Sequence, residues 1–385
     1  MSFHVAHLLS WARGYDPLAV PSRCSARPIP RLRLWLGAFP PIMPRMDKDL
    51  KNLLKPQVEE LVIGLGGKRY WAKYLFSFIH AKGAARIDDV TTLPKAVRQQ
   101  LTEAGFFISA LQTAETFKDP DGTVKFVFSV PDGPRIESVL LEDEGRLTLC
   151  ISCQAGCRMG CRFCATGQLG FQADLTAAQI VDQVYRIMAT GAEIDNVVYM
   201  GMGEPLENYD QVLRSVRILN DPDGQNIGQR RITISTCGLP SGIVRLADEG
   251  LQVRLALSLH APTDEVRQDL MPMARSFSIA EILQAVETYQ FKTHRRVTIE
   301  YCMIQGINDS PDQARGLLKI LKGIDANVNL IEFNPFPGCP FDASTKPRVQ
   351  HFAQVLRNGG LDTAIRFRRG RSIKAACGQL GADWL

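Results

Sequence analysis

No window of this 385-residue chain is apolar for long enough to span a bilayer. Its first residues lack the clean apolar stretch and the small-residue cleavage site of a secretory signal. Ten cysteines are too thin a supply for a disulfide scaffold at this length, and their clustering points to metal or catalytic use in a reducing, cytoplasmic setting. Real charge asymmetry is missing too. The formal +5 comes from residues 1–45, where six arginines face one acid, Asp16; the remainder holds 39 basic and 39 acidic residues. Global charge therefore says nothing about partners, and polyanion binding must rest on local runs such as "QRR" at 229–231, "KTHRR" at 292–296 and "RFRRGR" at 366–371.

What is present begins with an Arg- and Pro-rich leader, 1–45, which lacks any sustained period. The expectation here is a poorly ordered extension, with translation starting at Met43 or Met46. From 46 to about 120 the pattern is helical: "LKNLLKPQVEELVIGL", "RYWAKYLFSFIH" and "LPKAVRQQLTEAGF" place apolar residues at three- and four-residue steps. "TVKFVFSV", a "PDG" turn and "IESVLLE" then alternate as a hairpin within a 121–146 linker.

The rest, 147–385, alternates short β-rich runs with amphipathic helices. "RLTLCIS", "NVVYMG", "RITIST", "VRLALSL", "RVTIEYCMI" and "NVNLIEF" are the six candidate strands. Strand, helix, strand in repetition means a parallel sheet, since each parallel connection needs a crossover. Six units predict an α/β fold: a partial (βα)6 barrel, whose chemistry belongs at the carboxyl ends of its strands.

One loop at that mouth carries the chemistry. "QAGCRMGCRFCATGQ" places Cys157, Cys161 and Cys164 within eight residues. A disulfide framework wants an even number, and a closed zinc site wants four ligands. Three thiolates, which select zinc or iron and sulfur, suit a metal centre that keeps one coordination position open. A zinc knob completed by Cys150 or Cys153 is the competing reading.

The C-x3-C-x2-C spacing, followed by "GMGEP" after the next strand, resembles the radical S-adenosylmethionine superfamily. Within it, the chain from about Asp47 onward is similar to the bacterial adenine-carbon-2 methyltransferases of 23S ribosomal RNA and tRNA. The resemblance implies a 4Fe-4S cluster on Cys157, Cys161 and Cys164, and two S-adenosylmethionine molecules per turnover. Gly203 and Glu204 of "GMGEP", Ser235 in "STCG", Ser258, Leu259 and His260 in "SLHAP", and Asn334 in "EFNPFPG" would line the cofactor pocket. Each falls at the carboxyl end of a candidate strand or just past it, where a barrel gathers ligand contacts.

The same resemblance implies the catalytic residues. Cys377, in "SIKAACGQL", would take the methyl group, and Cys150 would later attack it. Glu137, thirteen residues before Cys150, would be the base, although alternation alone favours an outward-facing glutamate. Carbon 2 of adenine is electrophilic, so it cannot attack a sulfonium methyl directly; a hydrogen is first abstracted from the Cys377 S-methyl, and the carbon radical adds to the ring. Cys150 then closes a disulfide on Cys377 and expels the product. Cys153 and Cys237 are extra thiols that the pattern does not require.

The 46–120 module, with Lys68, Arg69 and Lys73 near its Gly-Gly turn, is the candidate RNA-holding element, equally consistent with a scaffold. A flavodoxin-type electron donor and a monomer complete the expectation. Methylation at carbon 8 by sister enzymes, and a non-catalytic zinc-stabilised RNA-binding protein, remain alternatives.

Overall fold

The structure, a computed structural model, describes residues 47–130, 133–366 and 368–385. The 1–45 leader, its alternative starts and the Pro131–Asp132 part of the expected hairpin turn lie outside the described residues.

A helical module comes first: α1 (Lys55–Gly64), α2 (Tyr70–His80) and α3 (Lys95–Glu103). The three- and four-residue spacing of Ala72, Leu75, Phe76 and Ile79 turns one stripe of α2 inward, and these side chains share a core of their own with Val58, Leu61 and Leu101.

Next comes an antiparallel ribbon of β1 (Gln112–Lys118), β2 (Val124–Ser129), β3 (Arg135–Asp143) and β4 (Arg146–Cys150). A small two-stranded sheet, β5 (Gln154–Gly156) with β6 (Phe171–Asp174), brackets the cysteine loop and a single-turn helix, α4 (Ala165–Gln168). Strands and helices then alternate through α5 (Ala177–Met188), β7 (Asn196–Tyr199), α6 (Tyr209–Asn220), β8 (Ile232–Thr236), α7 (Pro240–Asp248), β9 (Arg254–Ser258), α8 (Asp264–Leu270) and α9 (Ile279–Thr293). They continue with β10 (Val297–Met303), α10 (Pro311–Ile320), β11 (Ala326–Glu332), α11 (Lys346–Asn358) and β12 (Asp362–Arg366).

The sheet runs β1-β2-β3-β4-β7-β8-β9-β10-β11-β12, and every pairing from β4 to β12 is parallel. All six expected strands are there, in chain order across the sheet. A seventh, β12, extends it at the edge, where its largely exposed residues gave no apolar signature. Helix starts follow local chemistry: Thr176 with Gln179 and Ser278 with Glu281 form capping boxes on α5 and α9.

A buried ion pair joins module to barrel. Lys51 Nζ lies 2.6 Å from Asp182 Oδ1 on α5, both about 1% exposed, and also donates to Ser109 O. Asp182 Oδ2 accepts from Leu111 N–H and Arg186. Removing one partner of such a pair costs roughly 3–5 kcal/mol, because the other charge is left buried.

The C-terminal segment crosses the strand ends. Gly370 N–H and Ser372 N–H bond Asp121 and Asp119 in the β1–β2 turn, while Ala165 N–H donates to Gly378 O and Thr166 to Leu380 O beside the cysteine loop. No helix among the described residues is long and apolar enough to cross a membrane.

Candidate active site

The cysteine loop is wound tightly because glycine permits it. Gly156 sits at φ +69°, and a Cβ there would lie 1.7 Å from Gly170 O. Cys157, Cys161 and Cys164 are partly exposed, and Cys161 and Cys164 pack against an apolar shell that includes Phe163, Leu270, Met271 and Phe333. Burial pushes the Cys157 thiol up to about 12 and raises those of Cys161 and Cys164. Without positive charge these groups keep their protons; a bound metal is what makes a coordinating thiol a thiolate.

Among the described residues no three His, Cys, Asp or Glu side chains converge on one ion position. Tetrahedral zinc would hold its sulfurs about 2.3 Å from a single point. An iron–sulfur cluster takes each thiolate on a different iron, so it suits thiols that flank one loop without converging.

Around this loop the strand ends supply the other expected residues. Gly203, φ +102°, stands where a Cβ would meet Gln154 Cβ at 2.5 Å and its backbone nitrogen at 2.7 Å. Glu204 is buried; its Oε1 accepts from Leu206 N–H (3.0 Å) and its Oε2 from Cys237 N–H (2.8 Å). Burial raises its pKa while these backbone donors oppose the rise. Ser235 is the penultimate residue of β8 and Ser258 closes β9, both partly exposed. Leu259 is buried; its N–H donates to Glu300 O and its carbonyl accepts from Arg267 Nε.

His260, at φ +60°, accepts from Cys302 N–H at Nδ1, packs edge-on to Phe163 at 4.8 Å, and burial lowers its pKa to about 3, so the ring is neutral. Asn334 donates Nδ2 to Cys377 O at 3.2 Å, and its buried Oδ1 has no partner among the described residues. An acceptor left open at the mouth, beside glycine backbone and a buried carboxylate, fits a cofactor carrying amine and adenine N–H donors.

The catalytic candidates gather on the adjacent ribbon. Cys150 pairs with Val139 across β3 and β4, and Glu137 lies two residues from Val139, on the same face. Strand alternation alone favoured an outward Glu137; instead it is 1% exposed, because Lys125 Nζ (3.1 Å) and Gly381 N–H (2.8 Å) hold its carboxylate under the C-terminal segment. Burial raises its pKa, and Lys125 opposes the rise. Cys377 keeps accessible surface yet sits deep enough for burial to push its thiol up to about 11. Burial, then the neighbouring Cys377, raises the Cys150 thiol.

Sequence reading missed three residues here. Arg267 of α8 is wholly buried. Glu300 on β10 is a buried carboxylate held by Asn329 Nδ2 at 2.9 Å, and it helps raise the Cys377 thiol. Gln154 accepts the Glu204 N–H at 2.9 Å. Glu300 had a signal: an acid inside the otherwise apolar run "VTIEYCM". Cys153 and Cys237 are buried close to Glu204.

Residues 151–318 match the Radical SAM superfamily, and residues 48–106 match the ribosomal RNA large subunit methyltransferase N-terminal domain. A probable dual-specificity RNA methyltransferase RlmN of Thermus thermophilus is 47% identical over 86% of this chain and 94% of its own length. A ribosomal RNA large subunit methyltransferase N of Nitrosopumilus maritimus is 43% identical over 87% and 99%. Among solved structures, a radical SAM methyltransferase from Sphaerobacter thermophilus superposes with a TM-score of 0.82 at 42% identity, covering 87% of this chain and 99% of that one.

Proposed function

The chain belongs to the radical S-adenosylmethionine superfamily and, within it, to the RlmN-type RNA methyltransferases, and from that premise we propose that it methylates carbon 2 of an adenine in 23S ribosomal RNA and in tRNA. Its cofactors are a 4Fe-4S cluster and S-adenosylmethionine, which when bound supply the methyl group and the one-electron chemistry that an electrophilic ring carbon requires.

In this reading Cys157, Cys161 and Cys164 hold the cluster, while Gly203, Glu204, Ser235, Ser258, Leu259, His260 and Asn334 form the cofactor pocket. Cys377 carries the methyl group to the ring. Glu137 removes the ring proton, and once the adduct has given up its odd electron Cys150 attacks the Cys377 sulfur: the S–S bond forms, the S–CH2 bond breaks, and the expelled methylene takes a proton to become the methyl group of the released base. The observation that carries the assignment is the grouping of Glu137 and Cys150 on one sheet face beneath the segment bearing Cys377, with Gly381 bonded to Glu137.

The adenine must leave its helix or loop to enter the mouth. We assign residues 46–120 to holding the RNA, 121–146 to linking, and 147–385 to the chemistry. On α2, Tyr70 (53% exposed) and Tyr74 (42% exposed) stand edge to face, with Lys68 Nζ 5.9 Å from the Tyr70 ring. Two solvent-facing rings beside a cation suit an unpaired base and its phosphate. Arg69 and Lys73 are partly engaged, by Glu59 and Asp223. A low-potential donor of the flavodoxin class would deliver the electrons.

The test is to purify the chain without oxygen, supply RNA and labelled S-adenosylmethionine, and identify the labelled base. Formation of 2-methyladenine that disappears in Cys377→Ala supports the reading; 8-methyladenine moves the protein to the sister activity, and absence of base methylation overturns it.

A further inference from the structure

Arg267 is 0% exposed, the largest fully buried side chain among the described residues. Its guanidinium donates Nε to Leu259 O at 3.2 Å and Nη2 to Cys237 O, and its Nη1 has no partner among the described residues. Both acceptors are neutral carbonyls. Among the described residues no carboxylate oxygen bonds the guanidinium: Asp264, the acid whose charge reaches it, accepts from Ile279 N–H at 2.7 Å, and Glu204 is held by Leu206 and Cys237. An arginine stays charged in proteins, and burying that charge without an anion is costly. A fixed cation with one unused, buried donor therefore calls for a buried anion.

The surroundings say which one. The C-terminal end of α8, just past Arg267, touches the cysteine loop, since Arg162 donates its N–H to Leu270 O and its Nη1 to Asp269 O, and Leu270 packs in the same apolar shell as Cys161 and Cys164. We propose that Arg267 is the counter-charge of the cluster, compensating the net negative charge that three thiolates give the occupied site and easing entry of the reducing electron. The proposal rests on the assignment of Cys157, Cys161 and Cys164 as cluster ligands. One electron from a low-potential donor makes the cluster more negative by one charge, so a cation held in a dry shell favours the reduced form.

The experiment is an anaerobic dithionite titration of the iron-loaded protein, followed by electron paramagnetic resonance, on wild type, Arg267→Lys and Arg267→Met, each with and without S-adenosylmethionine. Iron content is measured alongside, and circular dichroism checks folding. The expected result for Arg267→Met is a roughly tenfold lower equilibrium constant for one-electron uptake, about 59 mV more negative, in both cofactor conditions. Arg267→Lys, which keeps the charge but loses the forked hydrogen bonds, should stay within threefold of wild type. Wild-type potentials in an iron-replete Met variant overturn the proposal, as does a Lys variant shifted as far as Met. A shift seen only with S-adenosylmethionine overturns it as well, because Arg267 then serves the cofactor's carboxylate. If Met fails to load iron, Arg267→Gln, which keeps hydrogen-bond donors without the charge, takes its place under the same criteria. Wild-type protein that binds no iron would instead defeat the ligand assignment itself.

Discussion

Gly381 N–H donates to Glu137 Oε2 at 2.8 Å across 244 residues of sequence, fastening the C-terminal segment onto β3. The carboxylate is thereby aimed beneath the segment that carries Cys377, and Lys125 balances its charge from the opposite oxygen. Lys125 also bonds Asp383 at 2.9 Å, so one buried cation organises both ends of this contact.

Glu137→Gln keeps an acceptor for Gly381 but cannot take a proton. Turnover should fall at least ~100-fold, the usual share of a general base, with the melting temperature moved by only a few degrees. Rates and calorimetry on the same preparation check this; near-normal turnover would assign Glu137 a purely structural role.

Cys150→Ala should leave the RNA covalently attached to Cys377, because no thiol remains to attack its sulfur. Denaturing gels after a single turnover should show a protein–RNA band that is lost in the Cys150→Ala, Cys377→Ala double variant. A Cys150→Ala enzyme that releases free product would remove Cys150 from the mechanism.

Gly203→Ala places a methyl group 2.5 Å from Gln154 Cβ at φ +102°, a conformation costing a residue with a side chain about 1–2 kcal/mol before any clash. The three cysteines are untouched. Iron content should stay normal while S-adenosylmethionine affinity falls tenfold or more by equilibrium binding; parallel loss of iron would show that the effect is general unfolding.

His80 is buried, with Nδ1 2.9 Å from Tyr185 Oη and Nε2 unpartnered among the described residues, and burial lowers its pKa to about 3. The unfolded histidine takes up a proton below its ordinary pKa of about 6.5, while the folded one stays neutral down to about 3. Its contribution is therefore fully present above pH 6.5 and is lost as pH falls, by up to about 1.4 kcal/mol per pH unit. Denaturant unfolding at pH 7, 6 and 5 should show His80→Phe losing less stability on acidification than wild type, by that slope; identical slopes would contradict the assignment.

Replacing Tyr70 and Tyr74 together by Ala tests the RNA surface better than deleting the module, since deletion would strip Lys51 and the Leu111 N–H from the buried Asp182 and leave it only the partly exposed Arg186. Stacking of one base contributes roughly 1–3 kcal/mol, so KM for RNA should rise about tenfold or more. Cofactor cleavage without RNA should be unchanged. A KM for RNA equal to that of wild type would locate the RNA elsewhere.

Much of the site was legible from the sequence. The three cysteines declare themselves by spacing, and the parallel strands by regular alternation with amphipathic helices, because both signals are local. Glu137 shows where local signals stop: alternation on β3 points it outward, and only the C-terminal segment folding over that strand makes the position an interior one. β12 was missed for a related reason, since an edge strand with exposed residues has no apolar pattern to betray it.

Arg267 was beyond sequence reading. In "TDEVRQDL" it resembles any helical arginine among acids, and only the packing of α8 against the cysteine loop removes it from water. The sequence by itself determined the ligand chemistry, the parallel architecture and the order of the loops along the mouth, because these depend on residue type and short-range spacing. The tertiary structure decided which distant residues share one buried volume, and so set the ionisation of Glu137, the depth of Cys377 and the unpaired charge of Arg267; desolvation depends on everything packed around a group, not on its neighbours in the chain.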